Sequence, residues 1–138
     1  MDSFIKQLAA DFPEVVFRPA KRFIFSPPHT ISYPKKTSTT LDGDRLLLLH
    51  ELSHYLLKHQ DYGSELDLLK MEAEAWEKAK DLAPNYQIAW NEDVKDDYLD
   101  SYRDLLHRRS ICPTCQINGF FSNSDKSYHC PNCEKSWH

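Results

Sequence analysis

The spacing of hydrophobic residues divides this chain into helical and extended segments. Spacings of three and four residues predict four helices, and short β-branched or aromatic runs broken by prolines predict strands. The predicted helices cover residues 3–11, 42–59, 64–82 and 91–109, and the predicted strands cover residues 15–17, 23–25 and 30–33. This order of elements favours an α+β fold. Because the second helix is apolar nearly all round in its first half, we expect it to be central and buried.

Polar residues mark the ends and the exposed faces of these helices. Candidate caps of the second helix are Thr39, Thr40 and Asp42. Residues 60–63 are predicted to form a turn, after which Ser64 and Asp67 form a capping-box pattern at the start of the third helix. The fourth helix has an acidic face that we expect to be solvated. This face consists of Glu92, Asp93, Asp96, Asp97, Asp100 and Asp104.

Composition changes at residue 110, where cysteine, asparagine, serine and aromatic residues replace the helical pattern. We therefore predict two units, a first unit of residues 1–109 and a ribbon unit of residues 110–138. The formal net charge is −4, and only the residues from 107 onward are weakly basic. This balance permits a nucleic-acid partner without indicating one.

The sequence also bears on the compartment in which the protein acts. No apolar run is long enough to cross a bilayer, so we expect no membrane partner. The first residues, MDSFIK, lack the basic start and long apolar core of a signal peptide. All four cysteines fall after residue 111, and this clustering favours a metal site over a disulfide framework. We therefore expect a cytoplasmic protein.

The most specific chemical signal is the motif H-E-x-x-H, formed by His50, Glu51 and His54 within the second helix. Residues four apart share one helix face, so both imidazoles can bind one zinc ion. Glu51 then lies beside the metal, where it can take a proton from zinc-bound water. A charged glutamate on a buried helix would be costly without such a partner. The motif therefore predicts a catalytic zinc site with Glu51 as the general base.

Catalytic zinc usually takes three protein ligands, so a third ligand must come from another part of the chain. The third helix offers Glu72 and Glu74. Glu72 shares a face with small and apolar residues that would let this helix pack on the second, whereas Glu74 shares a face with charged residues. Helical phase thus favours Glu72 and leaves Glu74 as the alternative. His59 is a further candidate ligand, although a histidine near the helix C-terminus is the simpler interpretation.

These residues resemble a known group of enzymes. The segment HELSHYLL at residues 50–57, followed by EAEA at residues 72–75, is similar to the ImmA/IrrE family of gluzincin-type zinc metallopeptidases. The resemblance implies a zincin-like minimal metallopeptidase domain, with Glu72 as the third zinc ligand and a regulatory protein as the substrate. The chain departs from the family pattern at Trp76 and Lys78. A weaker similarity to SprT-like proteases rests on the combination of H-E-x-x-H with a zinc ribbon.

The ribbon unit carries two C-P-x-C pairs that are separated by residues 116–129. The four cysteines are Cys112, Cys115, Cys130 and Cys133. This spacing is typical of a zinc ribbon, in which four thiolates enclose one structural zinc ion. The metal supplies folding free energy that about 30 residues cannot obtain from a core of their own. Three roles stay open: stabilising the chain end, docking a protein or nucleic acid, and restraining activity by folding over the cleft.

The sequence therefore predicts a zinc metalloendopeptidase with one catalytic and one structural zinc ion. We expect it to hydrolyse peptide bonds of a specific intracellular protein, because the chain is too short for extensive substrate-binding subdomains. One of the strands within residues 23–33 is a candidate for pairing with an extended peptide. The alternative is a non-catalytic protein with a zincin scaffold, which binds a protein or nucleic-acid partner through its ribbon. The intact Glu51 favours the enzyme, since a scaffold needs no general base.

Overall fold

The computed structural model describes residues 2–36, 41–59, 65–122 and 124–138, and these form an α+β structure. Its helices are α1 (Asp2–Asp11), α2 (Leu41–Leu56), α3 (Glu65–Leu82) and α4 (Glu92–Arg109), with a 3₁₀ helix at Ala83–Tyr86. Its strands are β1 (Val16–Ala20), β2 (Ile24–Ser26), β3 (Thr30–Pro34), β4 (Phe120–Ser122), β5 (Ser127–His129) and β6 (Ser136–Trp137). The four predicted helices and the three predicted strands are confirmed, with ends shifted by a few residues.

The first three strands form one sheet in the order β1-β3-β2. The central strand β3 is parallel to β1 and antiparallel to β2. The prediction that prolines interrupt the strands was wrong for Pro19, which lies within β1, but it holds for Pro34, where β3 ends. An edge strand such as β1 tolerates proline, since one side of the strand makes no ladder hydrogen bonds. Of the strands within residues 23–33, only β2 lies at the edge of this sheet.

α2 is the central helix of the first unit. Its fully buried leucines are Leu46, Leu48, Leu49 and Leu52. They belong to a hydrophobic core that also includes residues of α1, β3 and α3. Polar residues of the helix, among them His50 and Glu51, are buried with them. The prediction of a buried central helix is confirmed, and its polar side chains lie where a charge is costly without a partner.

α2 ends at Leu56, three residues before the predicted end at His59. Lys58 follows in the left-handed region, with φ 59°. The His59 N–H donates to the carbonyl of His54 at 3.0 Å, and the Lys58 N–H donates to that of Tyr55 at 3.1 Å. This pair of hydrogen bonds is a Schellman motif, which satisfies carbonyl groups at the end of a helix. The same turn brings His59 back against the last turn of α2.

α3 packs against α2 through a face of small and apolar residues. Ala75, Trp76 and Ala79 are fully buried on this face. Glu72 is only 8% exposed, whereas Glu74 is exposed. The helical phase predicted for this segment is therefore confirmed, and it separates the two glutamates by their access to water.

α4 begins after Asn91, whose side-chain oxygen accepts a hydrogen bond from the Asp93 N–H at 2.9 Å. All residues of the predicted acidic face are exposed, which confirms that this face is solvated. α4 and α3 are the longest helices of the structure, and both carry many charged residues. Within the described ranges, no helix combines the length and apolar character that crossing a membrane requires.

β4, β5 and β6 form a second, antiparallel sheet in the ribbon unit. Tyr128 is buried and stacks on Trp137, with ring centroids 5.8 Å apart. Gly119 lies so close to Trp137 that a Cβ at this position would be 2.6 Å from the indole ring, so a larger residue would displace the tryptophan. The indole N–H of Trp137 donates to the carbonyl of Arg109 at 2.8 Å. This hydrogen bond ties the second sheet to the end of α4.

Several details predicted from the sequence lie outside the described residues. They are the caps Thr39 and Thr40, the turn at residues 60–63 and the cap Ser64. The third candidate cap of α2, Asp42, lies within the first turn of the helix and not before it. An aspartate in this position still interacts favourably with the helix dipole.

Replacement of Lys58 by glycine tests the turn that ends α2. We expect Lys58→Gly to raise the free energy of unfolding by about 0.5–1 kcal/mol, because glycine adopts a positive φ without steric cost. Lys58→Val should lower it by about 1 kcal/mol, since a β-branched residue is strained there. Thermal unfolding of the two variants measures the difference. Equal melting temperatures would show that the left-handed turn does not form.

Candidate metal centre

α2 and α3 bring two histidines and a glutamate together in the core of the first unit. His50 and His54 lie one turn apart on α2, and Glu72 lies on α3. The Oε2 of Glu72 is 2.9 Å from Nε2 of His50 and 3.3 Å from Nε2 of His54. All three residues are more than nine-tenths buried. Of the two glutamates weighed from the sequence, the structure thus brings Glu72 and not Glu74 to the histidines, and the ligand assignment itself stays a prediction.

Two distances within this group, from Oε2 of Glu72 to Nε2 of each histidine, are close to those between ligands of a tetrahedral metal ion. Ligand atoms that lie about 2.0–2.1 Å from zinc lie about 3.3 Å from one another. Both ring nitrogens of His50 are buried, and although they lie near carboxylate oxygens of Glu72 and Glu51, neither contact has the geometry of a hydrogen bond. His50, Glu51 and His54 also place one ligand atom each within 4.8 Å of one another. These side chains can therefore hold a metal ion.

The buried carboxylate of this group requires a positively charged partner. Burial would raise the pKa of Glu72, but His50 and His54 outweigh this effect and lower the pKa of Glu72 to about 2. Burial would lower the pKa of His50, but its contacts with Glu51 and Glu72 outweigh that effect and raise it. The site thus holds a carboxylate that needs a positive partner in a buried place, and either a proton on an imidazole or a metal ion meets this need.

Glu51 lies beside the three side chains and is oriented by the neighbouring sheet. The N–H of Phe25 in β2 donates to Oε2 of Glu51 at 2.9 Å. The other carboxylate oxygen, Oε1, lies 3.4 Å from Nδ1 of His50. The Phe25 amide thus points away from β3, and through it the edge strand β2 holds the buried carboxylate of Glu51. Sequence reasoning missed this contact, because a backbone amide leaves no signal in the identity of its side chain.

Trp76 forms the wall behind His50. The indole and imidazole rings are stacked, with centroids 4.4 Å apart and an angle of 17° between the planes. Trp76 is fully buried, so its position is set by the core. The imidazole is therefore held by packing against its face, which leaves its two nitrogens available in the ring plane.

Tyr98 of α4 is a site residue that the sequence assigned only to an apolar stripe. Its ring meets that of His50 at an angle of 60°, with centroids 4.8 Å apart. Burial raises the pKa of Tyr98, and the carboxylates of Glu72 and Glu51 raise it further. The phenol therefore keeps its proton at ordinary pH and stays a hydrogen-bond donor. Only the packing of α4 near α2 and α3 reveals this role.

A cleft of about 650 Å³ opens onto Glu51, His54 and Glu72. Its walls come from the segment around β2 and from α2, α3 and α4, and they are mostly apolar. They include Phe23, Leu47, Met71, Tyr102 and Leu105. A smaller cavity of about 380 Å³ adjoins it and shares Phe25 and His59. The described residues that line the larger cleft all precede residue 106, so the ribbon contributes no wall to it.

His59 and Glu74, the two alternative ligands weighed from the sequence, lie on the outer side of His54. The Nδ1 of His59 is 3.0 Å from Nδ1 of His54, and its Nε2 is 3.3 Å from Oε2 of Glu74. Neither side chain contacts the Nε2 atom with which His54 meets Glu72. Both alternatives therefore belong to the surroundings of His54 and not to the buried group itself.

The four cysteines of the ribbon unit converge on a second point. Cys112, Cys115, Cys130 and Cys133 form no disulfide and can together hold a metal ion. The Sγ atoms of Cys112 and Cys133 are 3.7 Å apart. Thiolates on a tetrahedral zinc ion lie about 3.8 Å apart, whereas disulfide sulfurs lie about 2.05 Å apart. The geometry therefore fits a site for a single metal ion and excludes a disulfide bond between these two sulfurs.

Amide groups donate hydrogen bonds to the sulfurs of these cysteines. The Cys115 N–H donates to Sγ of Cys112 at 3.3 Å, and the Asn132 side-chain amide donates to Sγ of Cys115 at 3.3 Å. Burial would raise the pKa of Cys112, but the backbone N–H groups of Cys115 and Thr114 help to lower it to about 7. At Cys133 the Lys135 backbone N–H would lower the pKa, but the Cys115 thiol and burial raise it to about 12. A thiol that ionises near neutral pH binds metal more readily, and among these two cysteines that is Cys112.

Three of the four aromatic residues of the ribbon unit pack over its sheet. Phe121 meets Tyr128 edge-on at 5.2 Å, and Tyr128 stacks on Trp137. Phe120 stands apart because it is 57% exposed, although its ring also stacks on that of His129. Most of these aromatic residues therefore serve the fold of the ribbon unit, whereas Phe120 is exposed to solvent, as is the nearby Ile117.

Comparison of the chain with protein-family models, with curated proteins and with solved structures gives no significant match. Function must therefore be inferred from the chemistry of the two groups that can hold a metal ion. One of them is buried beneath an open cleft, and the other is closed by four sulfur atoms.

Metal content distinguishes the ligands of the two sites. We expect two zinc ions per chain in the wild type after loading with excess zinc and gel filtration, and one in Glu72→Ala, because the first site loses a ligand. Glu74→Ala should keep two, since its carboxylate lies outside that group. Cys112→Ser should lose the other ion. Elemental analysis gives the counts, and a single ion in the wild type that persists in Glu72→Ala would leave only the cysteine site metallated.

Proposed function

We propose that this protein is a zinc-dependent metallopeptidase with a zincin-like domain, one catalytic zinc ion and one structural zinc ion. The observation that carries the proposal is the buried group of His50, His54 and Glu72, with the Glu51 carboxylate beside it beneath an open cleft. Three protein ligands leave one tetrahedral position open, as in catalytic zinc sites, whereas four thiolates close the shell. The resemblance of residues 50–57 and 72–75 to ImmA/IrrE metallopeptidases supports the same function.

Glu51 is the proton carrier of the proposed reaction. When bound, a zinc ion supplies Lewis acidity that polarises a carbonyl group and makes water a stronger acid. The Phe25 N–H donates to Oε2 of Glu51 and Oε1 lies beside Nδ1 of His50, so the carboxylate is held in place to take a proton from water and later give it to the departing amine. Tyr98 keeps its own proton and can donate a hydrogen bond to Glu72 or to the carbonyl oxygen of the substrate, which becomes negative when water attacks.

The cleft indicates the class of substrate. Its apolar walls suit at least one large apolar side chain, and the buried position of the ligands requires an extended segment that can enter from one side. The amide of Phe25 already serves Glu51, so a peptide beside β2 would be held mainly through its side chains. We therefore propose that the substrate is an exposed, extended segment of a specific protein, and the family resemblance favours a regulatory protein.

The ribbon has a structural role in this proposal. Its zinc ion stabilises a sheet too small to fold alone, and the Trp137 indole fixes this sheet to the end of α4. Phe120 remains exposed and offers a contact to the protein substrate. A ribbon that binds a partner is also the basis of the non-catalytic alternative, which the first activity measurement decides.

Glu51→Gln is the primary test of the enzyme. Glutamine keeps an oxygen for the Phe25 N–H but cannot take up a proton, so we expect at least about a 100-fold loss of kcat with unchanged zinc content. A proteome-derived peptide library, analysed by mass spectrometry for new termini, measures the activity. Cleavage by the zinc-loaded wild type and not by Glu51→Gln supports the peptidase. The absence of cleavage by both proteins would favour the non-catalytic binding protein.

The contact between Phe25 and Glu51 can be tested with a matched pair of variants. Phe25→Ala and Phe25→Pro both remove the aromatic ring, but only proline removes the N–H group, and the edge strand tolerates it. We expect kcat of the proline variant to be about tenfold below that of the alanine variant, because a hydrogen bond to a carboxylate is lost. Equal kcat values in two folded variants would show that the amide does not orient the base.

A further inference from the structure

A continuous chain of polar contacts leads from the buried group to the surface. It begins where Nε2 of His54 lies 3.3 Å from Glu72. On the other side of the same ring, Nδ1 of His54 lies 3.0 Å from Nδ1 of His59. The Nε2 of His59 then lies 3.3 Å from Oε2 of Glu74, which is exposed. Both nitrogens of both rings are therefore used, in an unbroken sequence.

The end of α2 holds this chain in place. The left-handed conformation of Lys58 reverses the backbone, and the His59 N–H caps the carbonyl of His54 at 3.0 Å. The ring of His59 thereby meets the ring of His54 at an angle of 59°, with centroids 5.2 Å apart. The two rings are tilted and are not stacked, so their Nδ1 atoms can face each other. The side chain of His59 is only 10% exposed, so water competes little with this contact.

Proton counting allows one arrangement of the two neutral rings. A metal ion at Nε2 of His54 requires that nitrogen to be unprotonated, so the proton of His54 is on Nδ1. This N–H donates to Nδ1 of His59, which must then be an acceptor. The proton of His59 is therefore on Nε2, where it donates to the carboxylate of Glu74. Each ring has one donor and one acceptor, and each is satisfied.

We propose that His59 and Glu74 are positioning residues that fix the tautomer and the orientation of His54 and so increase the metal affinity of the buried site. The inference rests on the metal-binding part of the proposed function and does not require peptide hydrolysis. It also explains why two glutamates occur two residues apart on α3: Glu72 meets the histidines directly, and Glu74 meets one of them through His59.

The test uses isosteric substitutions in the full chain. Asn at position 59 has an oxygen close to the place of Nδ1 and can still accept from His54, whereas Leu has the same shape without an acceptor. We expect His59→Leu to weaken zinc binding at the buried site by about 10–100-fold, and His59→Asn to stay within a few-fold of wild type. Glu74→Ala should weaken binding by a smaller factor. Asp81→Ala, at an exposed carboxylate on the same helix, is the control for charge.

Two readouts separate a positioning role from a structural one. Competition with a chelator gives the dissociation constant of each site, and the cysteine site should be unchanged in every variant. Long-range ¹⁵N–¹H spectra of the zinc-loaded wild type report the tautomers directly. We expect protons on Nδ1 of His54 and on Nε2 of His59. This measurement needs no variant, so it holds even if a substitution unfolds the protein.

Each outcome bears on a different claim. Weakened binding in His59→Leu, rescue in His59→Asn and the expected tautomers support the proposal. Two results would overturn the positioning role while leaving the proposed metallopeptidase intact, provided that the wild type binds zinc at the buried site. One is a proton on Nδ1 of His59, and the other is equal zinc affinity of the Leu and Asn variants. No zinc at the buried site of the wild type overturns both. If the positioning role is supported but neither the wild type nor Glu51→Gln cleaves any peptide, only the proposed peptidase activity is overturned.

Discussion

The structure depends on the burial of ionisable side chains on a central helix. α2 is surrounded by the core, yet it carries two imidazoles and a carboxylate in its buried part. Transfer of such groups out of water is costly unless each finds a partner. The partners come from three elements, because Glu72 reaches in from α3, the Phe25 amide from β2 and the phenol of Tyr98 from α4. The packing of these elements around α2 is therefore also the construction of the site.

The two candidate metal sites are built by different means. The cysteine site is assembled locally, since each C-P-x-C turn presents its sulfurs to a single point and its own amides donate to those sulfurs. Four sulfurs would leave no open position on a metal ion, and hydrogen bonds of Trp137, Ser110 and Ile111 join this unit to the end of α4. The histidine site is assembled from elements distant in the sequence and opens into a cleft. This difference is what separates a structural role from a proposed catalytic one.

The end of α2 shows how one backbone conformation, the left-handed turn at Lys58, positions a side chain beside the candidate metal site. A helix that continued to His59, as its sequence suggests, would carry this histidine away from His54, because residues five apart lie on different faces. The left-handed turn at Lys58 stops the helix early and reverses the chain. His59 then returns to His54, whose carbonyl its N–H caps, and its side chain connects the ring of His54 to Glu74. Termination of the helix and support of the site are thus the same structural event.

The sequence by itself determined what depends on local spacing. The four helices, the strands, the pairing of His50 with His54, the buried phase of Glu72 and the grouping of the cysteines all follow from periods of a few residues. The tertiary structure decided what depends on contact between distant segments. It placed β2 at the sheet edge, turned the Phe25 amide toward Glu51, brought Tyr98 into the cleft and moved His59 from the helix to the side of His54. These contacts left no pattern in the sequence, because a backbone amide has no side-chain signature and a packing partner has no fixed distance along the chain.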